Sequence, residues 1–354
     1  MPTVMETPTA IGGTSVPFQG KSKELQAGTV ANTLWVTFKN DATAFNGEKH
    51  AVFEGKGALN KAFTQQFFEL LESAGIPTCW LSTGELPETA VYRTLQMIPV
   101  EVVVRNVAQG SLCKRLGLAE NTILKAPLVE YFLKSDALGD PAIPPSAITE
   151  LGLLPSRVCL KQLEWMALAV NTILSARFKA AGVTLVDFKL EMGLDSEGTL
   201  RLGDELSPDG CRLQDAASGQ SLDKDVFRKG TGDLIETYQA LAGKLAKSPW
   251  DLSTLPIQTY TGVVVVQSRA NILNPQSRTL THTLQQTFVP AASSLLEGGA
   301  IQQVDSQKRF QVSITATHHW QALALFNQLA DEPLSNPVIE DAFVEDITLA
   351  KERS

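Results

Sequence analysis

Along 185–194 of this chain, LVDFKLEMGL, charged residues alternate with apolar ones in the one-in-two rhythm of a strand. Asp195-Ser196-Glu197-Gly198 is a turn signal, and 199–205 resumes strand character, so the stretch reads as a hairpin. Alternation puts Asp187, Lys189 and Glu191 on one face. A four-residue loop at 195–198 would pair position 194 with 199 and 189 with 204, placing Asp204 across from Lys189 and diagonal to Glu191. Upstream, 18–40 carries strand-like runs. In 57–75, Leu59, Phe63, Phe67, Leu70 and Leu71 fall at helical spacing, with a stop at Gly75. Residues 98–104 form an apolar strand with Pro99 near its start, 111–118 is a short basic segment, and 157–181 is a long amphipathic helix ahead of Gly182. A further helical stretch spans 223–247, loosened by Gly230 and Gly232.

The rhythm changes after that. Residues 248–262 hold prolines and hydroxyl side chains with one charge, which predicts a linker. Beyond it come a strand at 263–267, a helix at 275–288, strands at 301–304 and 310–315, a helix at 319–330 and a final strand at 338–347. That βαββαβ order predicts an antiparallel sheet with helices on one face. The expected organisation is a disordered extension at 1–17, an α+β domain at 18–247, a linker at 248–260 and a small α+β domain at 261–350.

Composition narrows the classes. A length of 354 residues fits two domains, and a net charge of −8 with a pI near 5.2 argues against non-specific nucleic-acid binding. Cys79, Cys113, Cys159 and Cys211 are far apart and read as thiols of a reducing compartment. No run approaches the roughly 18 apolar residues of a membrane span, and the first residues lack the basic and apolar regions of a secretory signal. A cytoplasmic protein with no membrane partner is expected. His50, His282, His318 and His319 show no ligand spacing and read as structural or surface residues.

Two carboxylates and an ammonium on one strand face suit a divalent metal and a phosphate; the bland alternative is a solvated sheet face. Gly20-Lys21-Ser22-Lys23 can fold over phosphates, or be a solvated basic turn. Arg105-Asn106 ends a buried-looking strand and leads through Gly110 to Ser111, which suits a bidentate grip on an anion, although Ser111 also reads as a helix N-cap. The loop 134–140 carries Lys134 and Asp136 after an apolar run, and the turn-rich 207–212 ends in Arg212. No GxSxG, HExxH or P-loop pattern occurs.

The segments FQGKSKEL, NDATAFNG, KGALNKAFTQQFFELLESAGIPT, IPVEVVVRNVAQGSLCKRLGL, FLKSDALGDP, LVDFKLEMG and LGDELSPDGCRL resemble, in order, the SAICAR synthase family, over about 18–246. The resemblance implies a two-lobed α+β fold related to ATP-grasp enzymes and protein kinases. It also implies ligation of L-aspartate to carboxyaminoimidazole ribonucleotide (CAIR), with ATP and Mg²⁺. By the same resemblance Lys21 and Lys23 hold ATP phosphates, Met97 lies between the lobes beside adenine, and Glu191 and Asp204 hold magnesium. Lys189 sits by the reacting carboxylate, and Arg105, Ser111 and Arg212 grip the nucleotide substrate. Lys134 and Asp136 belong to a loop closing near both substrates. Gln214 departs from the tryptophan of the family's RLWD, which implies a packing change.

The tail is similar to PurS, the small subunit of formylglycinamidine ribonucleotide synthase, over about 261–348, above all at Asn336-Pro337-Val338-Ile339-Glu340-Asp341. Gln307 before Lys308, and Gln276-Ser277, depart from its pattern. This resemblance implies a non-catalytic module that forms homo-oligomers and docks to the synthetase and glutaminase subunits of that complex. A rival is a dead ligase half serving only assembly; the intact set at 21, 23, 105, 189, 191, 204 and 212 argues against it. A third reading, a small-molecule or protein kinase, rests on the fold relationship alone, and the absence of HRD and DFG argues against it.

Overall fold

The computed structural model of the chain describes residues 18–44, 49–155, 160–269, 274–291, 307–335 and 340–350. The predicted N-terminal extension at 1–17, the strand at 301–304 and Cys159 lie outside the described residues. The chain divides into two compact α+β units, with the boundary between Leu255 and Pro256.

The first unit holds two main sheets. A five-stranded antiparallel sheet runs, in spatial order, Phe18–Gln19, Lys23–Ala27, Thr33–Phe38, Thr89–Arg93 and Trp80–Thr83. The helix Lys56–Ser73 packs on it with Phe68 against Tyr92, while its Phe63 and Phe67 meet Tyr238 and Phe178, all of them buried. That helix ends as its sequence demands: Gly75 takes φ +80°, and the Ile76 amide bonds back to the Leu71 carbonyl at 2.9 Å. A short hairpin, Asp41–Ala44 with Lys49–Val52, stands beside this sheet.

After Thr94 and Leu95 the chain enters the second, six-stranded sheet through the long strand Gln96–Ala108. Its β-branched run Val102-Val103-Val104 suits a fully covered position. It pairs with Thr122–Leu133 on one side and Val183–Leu194 on the other, and the latter also pairs with Leu200–Leu202 and Cys211–Asp215. The helix Leu160–Ala180 covers one face with buried Leu163, Met166, Val170, Ile173 and Leu174. The two sheets are joined where Leu202 exchanges backbone hydrogen bonds with Pro77 and Cys79.

Three expectations change. The stretch 223–247 is two helices, Asp225–Lys229 and Leu234–Ala246, because Gly230 at φ +65° ends the first and Asp233 caps the second through the Glu236 amide. Ser111 is not an N-cap: Gly110, at φ +61°, holds that position, and Ser111 is the first residue of the helix Ser111–Leu116. The linker is shorter than its composition suggested, since a strand begins at Gln258.

Among the described residues, the second unit holds a three-stranded antiparallel sheet with Gln258–Ser268 in the centre, between Gln307–Ala316 and Glu340–Leu349. The helix His319–Leu329 lies on it, with Phe326 filling the space that a side chain at Gly262 would occupy. His318 caps this helix by accepting from the Gln321 amide. Cys79, Cys113 and Cys211 are free and buried. Among the described residues, no helix is long and apolar enough to cross a membrane.

Candidate functional site

The hairpin is present, but its register is one residue off the prediction: Leu194 pairs with Leu200 and Met192 with Leu202. The cause is Asp195. Its Oδ1 accepts from the amides of Glu197 and Thr199, both at 2.9 Å, and its own amide donates to the Thr199 carbonyl at 3.1 Å, so the turn closes with Asp195 facing Thr199. A one-residue slip reverses every side chain that follows. Gly203, where the predicted register put Leu202, therefore lies opposite Glu191, donating to its carbonyl at 2.8 Å, and Asp204 does not pair with Lys189. Asp204 then leaves the strand with φ +58°, a left-handed conformation that aspartate tolerates better than most residues. That turn brings its carboxylate back to the charged face.

There Lys23, from the first sheet, meets Asp204 at 2.6 Å and Glu205 at 3.4 Å. Lys189 meets Glu101 at 2.7 Å and Glu191 at 2.8 Å, and Lys134 also pairs with Glu191. This is no solvated sheet face, for Glu191 is 4% exposed. Burial alone would lower the pKa of Lys23 and of Lys189; the carboxylates around them outweigh it and hold both above the ordinary lysine value. Burial would likewise raise Asp204, but Lys23 and Lys189 bring it down to about 2. Glu205 goes the other way: burial, against the pull of Lys23, raises it. Lysines and carboxylates here sense one another as a single cluster.

One step along the same strand lies a second group. The register sets Arg105 opposite Asp187 on one side and Arg212 opposite it on the other, a row across three strands. Asp187 Oδ2 accepts from Arg105 at 2.8 Å and from Arg212 at 2.7 Å. Arg105 also donates to Glu130 at 2.5 Å and to Ser111 Oγ at 3.2 Å. Gly110 is required beside this row, because a Cβ there would lie 2.8 Å from Arg212 Nη2. Two guanidiniums aligned by one buried carboxylate form a fork for an anion such as a phosphate.

The remaining predicted residues are placed less tightly. Lys21 is exposed in the turn before Lys23, whose carbonyl accepts from the Gly20 amide at 2.8 Å. Met97 stands just past the connection between the sheets, its thioether close against Gly203. Asp136 opens the short turn Asp136–Leu138, and its side chain lies outside the described residues. Gln214 is away from the charged cluster and donates to Asn121 at 3.2 Å.

Several participants escaped the sequence reading. Glu101 sits opposite Glu191 in the register, and a lone carboxylate inside an apolar strand was the available signal. Glu130 and Asp225 had no comparable signal, and Glu205 stood in the charged stretch without an assigned role. A separate cavity of about 500 Å³, lined by Gln66, Arg177 and Trp250 among others, shares no residue with the cluster. Arg177 serves there as a cap for the carbonyls of Leu245 and Ser248.

Among the described residues, no group of three or more His, Cys, Asp or Glu could hold a metal ion. The pair Glu191 and Asp204 nevertheless suits Mg²⁺, which takes one or two carboxylates and fills its shell with phosphate and water oxygens. Both carboxylates are held by ammonium groups that an incoming phosphate would draw away.

Lysines ranged against carboxylates where two sheets meet, with an arginine fork alongside, define an enzyme for anionic, phosphate-bearing substrates. Residues 17–245 match the family model of SAICAR synthetase, and 261–346 match that of PurS, described as phosphoribosylformylglycinamidine (FGAM) synthase. Over 228 residues the chain is 48% identical to phosphoribosylaminoimidazole-succinocarboxamide synthase of Exiguobacterium sibiricum, covering 64% of this chain and 96% of that relative. The enzyme of that name from Thermococcus kodakarensis is 48% identical over 224 residues, or 63% of this chain and 94% of its own length. A solved SAICAR synthetase in complex with ADP superposes with a TM-score of 0.62 at 43% identity, covering 67% of this chain and 100% of that one. The chain belongs to the SAICAR synthetase family: it is a ligase of purine biosynthesis, and it carries a PurS domain as well.

Proposed function

We propose that this chain joins L-aspartate to the carboxylate of CAIR at the expense of ATP, giving SAICAR, ADP and phosphate. The observation that carries this reading is the single cluster of Lys23, Lys134 and Lys189 with Glu191 and Asp204, set beside the Arg105–Asp187–Arg212 row. A CAIR carboxylate oxygen attacks the γ-phosphorus, the bond from that phosphorus to the ADP oxygen breaks, and an acyl phosphate forms. The aspartate amine then attacks the acyl carbon; the carbon–nitrogen bond forms, phosphate leaves, and the amine proton passes to solvent.

Lys21 and Lys23 neutralise the ATP phosphates, and Met97 packs against the adenine. Arg105, Ser111 and Arg212 hold the CAIR phosphate, and Lys189 orients its carboxylate. Lys134 and Asp136 close over the pair. Glu191 and Asp204 would hold Mg²⁺, which offsets repulsion between the reacting anions when bound. With Lys23 drawn to phosphate and Lys134 carried away as its own loop closes, Asp204 and the Oε2 of Glu191 are freed for that role. No side-chain nucleophile is needed, since the phosphoryl group activates the carboxylate.

The decisive assay is ADP release dependent on both CAIR and aspartate. Asp204→Asn and Glu191→Gln should fold and lose that activity; near-normal ADP release in either would reject the metal assignment. The PurS domain is assigned to homo-oligomer formation and to docking with the synthetase and glutaminase subunits of formylglycinamidine ribonucleotide synthase in the cytoplasm. Co-purification with those subunits, abolished by truncation after Leu255, is the expected result. A complete and active amidotransferase complex assembled without this chain would remove the role.

A further inference from the structure

Below the cluster lies a second set of charges that the proposed chemistry does not use. Lys56, the first residue of the helix Lys56–Ser73, is 0% exposed, and its ammonium is 2.7 Å from Asp209 Oδ2. Lys224 approaches the same oxygen at 3.3 Å, while Tyr238 donates to Oδ1 at 2.5 Å. Burial would raise the pKa of Asp209, but Lys56 and Lys224 outweigh it and keep it a carboxylate. An ammonium with no solvent access is costly to keep and is rarely retained without a partner.

Each end of this pair is fastened to part of the site. On one side, Gly57 presses so closely on the Phe38 carbonyl that the helix start is seated on the strand Thr33–Phe38. That strand pairs directly with the Lys23 strand, with Lys23 opposite Phe38. On the other side, Asp209 lies in the turn that begins at Asp204 and Glu205. The next residue, Gly210, gives its carbonyl to the amide of Lys189 at 3.0 Å. Asp209 therefore sits between the backbones that carry Asp204 and Lys189.

We infer that Lys56 and Asp209, steadied by Tyr238, are positioning residues: a buried ionic pivot that fixes the Lys23 sheet relative to the turn bearing Asp204. Among the described residues three ion pairs span this junction, Lys23 with Asp204 and with Glu205, and Lys56 with Asp209; both of the first two depend on Lys23. The Asp204 side chain is 24% exposed in its pair with Lys23, whereas Lys56 and Asp209 are 0% and 5% exposed in theirs. Lys23 must exchange Asp204 for phosphate when nucleotide binds, so that pair cannot hold the sheets in register through the reaction. The buried pair faces no ligand and persists. This role rests on the ligase reading of the same cluster.

The test uses the full-length chain. Lys56→Met with Asp209→Asn removes both charges of the pair together, and Lys224, which is not fully enclosed, keeps an amide oxygen as its partner. The expected result is a folded protein whose kcat is down by at least about tenfold, as a small misplacement of reacting groups produces, with KM for ATP and CAIR changed less than about threefold. Amide exchange at Lys189 and Gly210 should be faster. A folded double variant with kcat within about twofold of the parent, or with unchanged exchange at those amides, overturns the proposal. If the double variant does not fold, Tyr238→Phe removes only the hydrogen bond to Asp209; it should lower the melting temperature by a few degrees and cost kcat a few-fold at a temperature where the variant is fully folded, and unaltered kcat there overturns the proposal. A parent chain without CAIR- and aspartate-dependent ADP release would reject the substrate assignment instead, while the exchange rates would still report whether the pair holds the turn.

Discussion

Replacing Gly57 with alanine sets helix propensity against a backbone clash, and the structure allows the two to be weighed. Inside a helix, Gly→Ala is worth up to about 1 kcal/mol of stability. At Gly57 the added Cβ would lie 2.2 Å from the Phe38 carbonyl oxygen and 2.9 Å from its carbon. Restoring a normal carbon–oxygen contact requires a retreat of roughly 1 Å. Neither side yields cheaply. Phe38 is buried and its amide is bonded to the Glu88 carbonyl at 3.0 Å, while the Gly57 amide is bonded to Asn40 Oδ1 at 2.9 Å. Overpacking of this kind costs about 1–3 kcal/mol, so the clash wins. A net loss of about 1–2 kcal/mol lowers the melting temperature of a domain this size by roughly 2–8 °C. Scanning calorimetry measures it directly. The same retreat would draw Lys56 from Asp209, so kcat should fall with the melting temperature. An alanine variant as stable as the parent and fully active would show that the helix start is not seated on the strand, and would remove one fastening of the pivot.

Gly110→Ala should weaken the grip on the nucleotide substrate, since its Cβ would crowd Arg212 Nη2, and should lower the melting temperature because alanine is strained at φ +61°; KM for CAIR should rise while ADP affinity by calorimetry stays within about twofold. Asp223 is a buried carboxyl raised by burial to about 6 from 3.8, against the amides of Leu213 and Asp225 that it accepts. The folded chain thus keeps this proton after the unfolded chain has lost it, and the group costs stability as pH rises between those values. Urea midpoints should show the parent losing about 2 kcal/mol relative to Asp223→Asn from pH 4 to 6; a difference that does not vary with pH would contradict the burial argument. A fragment ending at Leu255 should retain the ligase activity of the full chain, because its relatives are almost wholly covered by that unit.

The faces of the strand at 183–194 were legible because alternation is a local property of the chain, and so Asp187, Lys189 and Glu191 were grouped correctly. What could not be read was how a side chain in the turn would alter the pairing. Asp195 binds two amides of its own loop and shifts the register by one, a choice between nearly equal turns that alternation does not distinguish. Lys56 was invisible for another reason: a lysine at a helix start reads as a solvated residue, and its partner Asp209 is far along the chain. The shifted register also determines how the metal assignment should be tested. Asp204 reaches the cluster only by adopting a positive φ, which most residues adopt at a cost but which asparagine shares with aspartate. Asp204→Ala would therefore mix backbone strain with the loss of a carboxylate, and an inactive alanine variant would not say which was responsible. Asp204→Asn keeps the shape and the turn, and it can still accept from Lys23. An inactive, folded asparagine variant therefore isolates the negative charge as the feature the reaction needs.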